Sequence, residues 1–296
     1  MFSATPGKKL RDLFASKNTV LSMCQAPNAL HARIMESAGI KAFFVGGGKA
    51  AGNYTGYPNT SVATMTELVM IGGYVARAIN APVLLDGDAG PGSLSALEKM
   101  VEDCIRAGLA GVRFEDQPSG KKRQAEGKID LITREEAVAR FRVAVEVRDR
   151  LDPTFVIGAK TYAREANNGG VKEGIERLNL YREAGCDTVH YQSPHTVEEV
   201  RQVRAAVKGV LAVILGPQMS LELHREIGVN IAWFTAEFDD AAQVACLELC
   251  EAFKKDGVAG LERFQKEHAE TLAKLKKLDP LGSKREKELE EKYFGR

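Results

Sequence analysis

The chain has 296 residues, 44% of them hydrophobic and 27% charged, enough apolar material for a large core and too mixed a pattern for a disordered or membrane-spanning protein. With 41 basic and 40 acidic residues the formal charge is +1, which removes the main electrostatic argument for nucleic acid or an anionic membrane as partner and leaves a small molecule. The five cysteines lack any C-x-x-C pairing and read as reduced thiols, and Met1–Leu10 lacks the apolar centre of a secretory signal, so a cytoplasmic address is expected.

In chain order, Lys8, Lys9 and Arg11 fall in an amphipathic helix, after which short β-rich runs alternate with amphipathic helices. Strands are predicted at Thr19–Met23, Lys41–Gly46, Pro82–Asp86, Ala110–Glu115, Thr154–Ala159, Thr188–Gln192, Val210–Leu215 and Asn230–Thr235. Helices are predicted at Asn28–Ala38, Met65–Ile79, Ser95–Ala107, Arg134–Leu151, Val171–Ala184, Thr196–Ala206, Ser220–Ile227 and Asp239–Phe253. Several of them stop at a glycine (Gly39, Gly108, Gly185, Gly228), the residue that best takes the left-handed turn after a helix end. Eight strand–helix repeats in about 250 residues fit an α/β fold of the (β/α)8 TIM-barrel type better than an open doubly wound sheet. The barrel domain is expected over residues 1–258. From 259 to 296 the chain turns charged and strand-free, with an apolar stripe (Leu261, Phe264, Leu272, Leu275, Leu278) that suits packing on another subunit. Cys246 and Cys250 lie one helical turn apart with no histidine nearby, and packing is a better reading for them than zinc.

Two of the predicted strands end in carboxylates: Leu84-Leu85-Asp86-Gly87-Asp88 and Val112-Arg113-Phe114-Glu115-Asp116-Gln117. The C-terminal ends of parallel strands are where such folds build their sites. If the strand runs through both Asp86 and Asp88, their side chains share a face. With Glu115 from the next strand they form an oxygen-rich pocket suited to a hard cation such as Mg2+. The glycine run Gly46-Gly47-Gly48 could bring backbone N–H groups close to a substrate carboxylate, the alternative reading being a tight turn.

Three segments, Phe44-Val45-Gly46-Gly47-Gly48-Lys49-Ala50-Ala51-Gly52, Asp86-Gly87-Asp88-Ala89-Gly90-Pro91-Gly92 and Ala110-Gly111-Val112-Arg113-Phe114-Glu115-Asp116-Gln117 with Lys121-Lys122 after it, follow one another on consecutive strands. By these the chain resembles the isocitrate lyase / phosphoenolpyruvate mutase superfamily, and most of all its methylisocitrate lyases, over about Leu10 to Cys250. The resemblance implies a (β/α)8 barrel, a Mg2+-assisted site (Mn2+ being the substitute) and a mobile loop after the fourth strand. It also implies a homo-oligomer, dimer or tetramer, that exchanges C-terminal helices, and chemistry that makes or breaks C–C or C–P bonds beside carboxylates. Asp86, Asp88 and Glu115 would hold the metal, and Val45, Gly46 and Gly47 a substrate carboxylate.

Other positions depart from the lyase pattern. Arg123 stands where the lyases carry the cysteine that serves as acid/base, and an arginine is a poor proton donor near neutrality. Lys160 replaces the fifth-strand arginine and Gln192 the sixth-strand carboxylate, while Asn59 replaces an aspartate after the glycine run. Lys160 could clamp a carboxylate, act as a base or form a Schiff base, and Arg123 would add to the anion-binding charge. His190 is read as an acid/base or as a buried structural residue, and Tyr162 and Tyr191 as pocket hydroxyls. The expected activity is a Mg2+-dependent carbon–carbon lyase on a small, anionic 2-hydroxy or 2-oxo carboxylate. The alternatives are an oxo-acid decarboxylase or hydrolase, a phosphonomutase, or a silent ligand-binding barrel.

Overall fold

A computed structural model describes residues 4–16, 19–58, 62–118, 129–214 and 219–295. The chain opens with α1 (Pro6–Ala15) and then alternates β1 (Leu21–Gln25), α2 (Ala29–Ser37), β2 (Phe43–Val45), α3 (Gly47–Thr55), α4 (Met65–Ala78), β3 (Val83–Asp86), α5 (Leu94–Arg106), β4 (Gly111–Glu115) and α6 (Arg134–Leu151). It continues with β5 (Val156–Thr161), α7 (Val171–Glu183), β6 (Thr188–Tyr191), α8 (Val197–Ala206), β7 (Val210–Val213), α9 (Leu221–Ile227) and β8 (Ile231–Phe234). The last helices are α10 (Glu237–Asp256), α11 (Val258–Glu267), α12 (Ala269–Leu278) and α13 (Ser283–Phe294).

The eight strands pair in parallel, each with the next, and β8 closes on β1, giving a (β/α)8 barrel. Because side chains alternate across each strand, the strands serve two cores at once. One face packs outward on the helices, with Phe43, Val45, Leu85, Val112, Ile157 and Val189 in that layer. The other fills the barrel interior, where Met23, Phe44, Leu84, Val156, Ile231 and Trp233 meet Leu10 of α1. Gly7 lets α1 approach this closely: a Cβ there would stand 2.4 Å from the Thr154 carbonyl oxygen at the foot of β5.

All eight predicted strands are present, most of them shorter by a residue or two at an end. The glycine run is a finding of a different kind. It starts helix α3, with Gly46 as the extended residue before the first turn. The Gly46 N–H donates to Gln25 Oε1 (3.0 Å), so a side chain from β1 ties the entry to this helix to the barrel. Among the described residues no helix is long and apolar enough to cross a membrane. The expected packing of Cys246 and Cys250 is corrected: both thiols are exposed on α10, whereas Cys24, Cys104 and Cys186 are buried, and all five are free.

Candidate active site

β3 stops at Asp86, and the chain turns at once. Asp88 has left the strand, with a φ of 47°, so the expectation that both aspartates share one strand face is corrected. The turn is stitched to β4 by Gly87 N–H donating to Arg113 O (2.8 Å) and Glu115 N–H donating to Asp88 O (2.9 Å). From α6, buried Arg140 donates to the carbonyls of Ala89 and Pro91 and pins the far side of the turn. A non-glycine residue in the left-handed region is strained, and strain held by surrounding bonds is common at functional sites.

The turn brings Asp88 back beside its neighbours. Asp86, Asp88 and Glu115 are all buried, and one carboxylate oxygen from each lies within 4.8 Å of the others. Among the described residues no other group of three histidine, cysteine or acidic side chains converges in this way. Three hard oxygen donors suit Mg2+, which takes oxygen ligands and keeps several waters, and they do not suit a soft metal. The donor set therefore fits the metal the sequence implies.

Gly47, the first residue of α3, lies directly against Asp88: a Cβ at that position would sit 1.9 Å from Asp88 Oδ2. The first-turn N–H groups of a helix have no intrahelical acceptor and carry partial positive charge. A carboxylate is at home beside them. Of the residues assigned to a substrate carboxylate, Val45 is buried at the end of β2, the Gly46 N–H is taken by Gln25, and Gly47 adjoins the acidic cluster. Lys49, in the same turn of α3, points away and bonds Asp239 (2.8 Å) and Asp240 (3.0 Å) of α10.

Two cations stand against the carboxylates. Glu115 and Lys160 are register partners on β4 and β5, and Lys160 Nζ donates to Glu115 Oε1 (2.9 Å) and to the Tyr162 hydroxyl (2.8 Å). That hydroxyl in turn donates to Glu115 Oε1 (3.1 Å). On the other side Arg113 Nη2 donates to Asp86 Oδ2 (2.6 Å), while its Nη1 donates to His190 Nδ1 (2.6 Å). An imidazole nitrogen that accepts from a guanidinium belongs to a neutral ring, with its proton on Nε2. Burial, reinforced by the charges of Arg113 and Lys160, holds His190 well below the usual histidine range. His190 is 1% exposed and lies in the barrel interior. Gln192 follows β6, its Nε2 donating to Ser193 Oγ (2.9 Å), and among the described residues its buried Oε1 has no partner. Arg123 lies outside the described residues, as do Lys121, Lys122 and Asn59.

Asp116, the residue after β4, had no assigned role in the sequence reading and proves to hold the site together from behind. It is fully buried, and burial raises its pKa despite its bonds. Its carboxylate accepts from Thr161 Oγ1 (2.6 Å), Tyr162 N–H (3.0 Å) and Tyr181 OH (2.8 Å), and Arg177 stands 3.5 Å away. This fixes the backbone that carries Lys160 and Tyr162 to the strand that carries Glu115. Arg113 was also unassigned, although its place two residues before Glu115 put it on the same strand face.

A closed parallel barrel with a buried acidic cluster at the ends of β3 and β4 is the architecture of a barrel enzyme, and its three carboxylates could hold a metal ion. Residues 10–253 match the family described as phosphoenolpyruvate phosphomutase, and the chain belongs to that family, within the PEP mutase/isocitrate lyase superfamily of enzymes. It is 29% identical to the 2,3-dimethylmalate lyase of Eubacterium barkeri over 253 residues, covering 84% of this chain and 86% of the relative. It is 32% identical to the 2-methylisocitrate lyase of Aeropyrum pernix over 238 residues, covering 77% and 73%. Its fold is shared with a solved phosphonopyruvate hydrolase complexed with oxalate and Mg2+, at a TM-score of 0.85, 22% identity and coverage of 98% and 100%.

The contact between Gly47 and Asp88 generates a specific expectation. In Gly47→Ala the new methyl group must push the Asp88 carboxylate aside, because the backbone of α3 is held by Gln25. Calorimetry should show Mg2+ affinity lowered by about tenfold or more, a loss typical of disturbing groups that orient metal ligands. The thermal midpoint should stay close to that of the parent. Unchanged Mg2+ affinity in a folded variant would contradict the reading.

Proposed function

We propose that the protein is a Mg2+-dependent carbon–carbon lyase acting on a small 2-hydroxy dicarboxylate of the malate type. The observation that carries this reading is the convergence of Asp86, Asp88 and Glu115 with Lys160 and Tyr162 bonded to one of the three. The name of the Eubacterium barkeri relative, a dimethylmalate lyase, supports the substrate class.

In such a cleavage the substrate hydroxyl gives its proton to water, the bond between C2 and C3 breaks, and C2 becomes a carbonyl. The electron pair passes to C3 and into the adjacent carboxylate, giving an enolate-like acid that must then gain a proton at carbon. A bound Mg2+ supplies the positive charge that stabilises the oxygen anions of this reaction. Asp86, Asp88 and Glu115 would hold it. Lys160 keeps a fixed positive charge beside Glu115 and orients the Tyr162 hydroxyl, which we assign as the proton donor in place of the lyase cysteine. His190 sits deeper, under Arg113, and we assign it to holding that guanidinium. The first-turn amides of α3 at Gly47 and Gly48 would receive the carboxylate remote from the cleaved bond. Arg123, in the segment between β4 and α6, is assigned to anion binding.

A panel of acids tests this with purified protein and Mg2+: malate and its methyl derivatives, isocitrate, 2-methylisocitrate, oxaloacetate and phosphonopyruvate. Oxo-acid release from a malate-type diacid, abolished by EDTA, is the expected result. Tyr162→Phe should lower kcat by about 10²–10⁴-fold, the usual share of general acid–base catalysis. Isocitrate and 2-methylisocitrate should be cleaved poorly, for want of the cysteine. Efficient turnover of either, or cleavage only of oxaloacetate or phosphonopyruvate, would replace this reading with one of the family's other reactions.

We also assign the C-terminal helices to contacts between copies of the chain. α10 exposes Val244, Leu247 and Phe253, and the segment beyond it exposes Val258 (66%) and Leu281 (73%), which are costly to leave in water together. Sedimentation velocity should give a dimer or tetramer, and a monomer at micromolar concentration would remove the assignment.

A further inference from the structure

Arg113 is a buried cation held inside the barrel. It lies in the middle of β4 on the face that also carries Glu115, and points into the barrel interior one layer below it. Room for it is made by Gly158, its register partner on β5, where a Cβ would come 3.1 Å from Arg113 Cβ. Its guanidinium is gripped on three sides: Asp86 Oδ2 at 2.6 Å, His190 Nδ1 at 2.6 Å, and the Trp233 ring 4.0 Å from its central carbon. Trp233 also stacks on His190, with centroids 5.5 Å apart and planes 24° from parallel. Arg113 is 3% exposed. A guanidinium so placed has no route to solvent, and moving it away would leave a buried charge without its partner.

The carboxylate it grips is one of the three that would hold a divalent ion. An arriving Mg2+ must therefore share Asp86 with a cation that cannot retreat, and the two positive charges repel at close range. An anionic ligand arriving with the ion offsets that repulsion. We propose that Arg113 is an internal counter-ion for Asp86, a positioning residue that makes divalent-cation loading depend on the presence of an anionic ligand. The proposal rests on the assignment of the metal to Asp86, Asp88 and Glu115. Its consequence is reciprocal: whatever the anion adds to Mg2+ affinity, Mg2+ adds to the anion's. The unliganded protein then carries little bound metal, and the ion enters with the substrate.

The test is a calorimetric titration of the full chain with MgCl2, alone and in saturating oxalate, on the parent, Arg113→Met and Arg113→Lys. The parent should bind Mg2+ at least about tenfold more tightly with oxalate than without. Arg113→Met should bind Mg2+ alone at least about tenfold more tightly than the parent, with the effect of oxalate reduced to a few-fold. Arg113→Lys keeps the charge and should stay near the parent. A merely structural role would weaken Mg2+ binding in both variants, and that outcome overturns the proposal.

Trp233 is the chain's single tryptophan and gives a readout that needs no variant. Its emission should respond to Mg2+ with oxalate at far lower Mg2+ than to Mg2+ alone, and identical titrations in the two conditions overturn the proposal even if Arg113→Met fails to fold. Asp88→Ala separates this claim from the one beneath it. Should that variant bind Mg2+ with oxalate as the parent does, the metal assignment itself is wrong.

Discussion

Three buried carboxylates with oxygens within 4.8 Å of one another are mutually repulsive, and much of the surrounding barrel answers that repulsion. Lys160 faces Glu115 from β5, Arg113 faces Asp86 from within β4, and the N-terminus of α3 faces Asp88. Each carboxylate has its own source of positive charge, and each source comes from a different part of the fold. Removing one partner of a buried pair typically costs about 3–5 kcal/mol, because the charge left behind has no compensation. The arrangement offsets the negative charge of the cluster, one positive group to each carboxylate.

The scaffold supplies this by geometry that a parallel barrel makes available. Register sets Glu115 beside Lys160, Lys160 beside His190, and Asp86 beside Arg113. Behind the strands, Asp116 ties the ends of β4 and β5 to Tyr181 of α7, and Arg140 ties the aspartate turn to α6. Glu173, bonded by both Arg134 and Arg177, has its pKa lowered to about 2, chiefly by Arg134, and anchors the guanidinium that stands beside Asp116. The acidic floor of the site is thus tied to both α6 and α7.

The barrel was legible because its two periodicities alternate along the chain and its helices end in glycine. The acidic cluster was legible because carboxylates at the ends of apolar strands have few structural uses. What escaped the sequence depends on contacts between distant residues. Gly46-Gly47-Gly48 reads as a turn in isolation, and is a helix start whose first amide, at Gly46, is held by Gln25 from another strand. Asp86 and Asp88 read as one strand face, whereas the chain turns between them under the grip of Arg113 O and Arg140. Asp116 acquires its role from Arg177 and Tyr181, more than 60 residues away. Arg113 could have been found from strand alternation alone, since any residue two before an inward carboxylate points inward too.

A crystal structure of the chain grown with Mg2+ and oxalate bears most directly on the claim that the cluster is a metal centre facing a carboxylate ligand. The account predicts a single octahedral ion held by Asp86, Asp88 and Glu115, directly or through water, at about 2.0–2.1 Å from its nearest oxygens. One oxalate should lie between that ion and the start of α3, with Arg113 still bonded to Asp86. An ion bound elsewhere, or an anion seated among these side chains with no ion present, would contradict it.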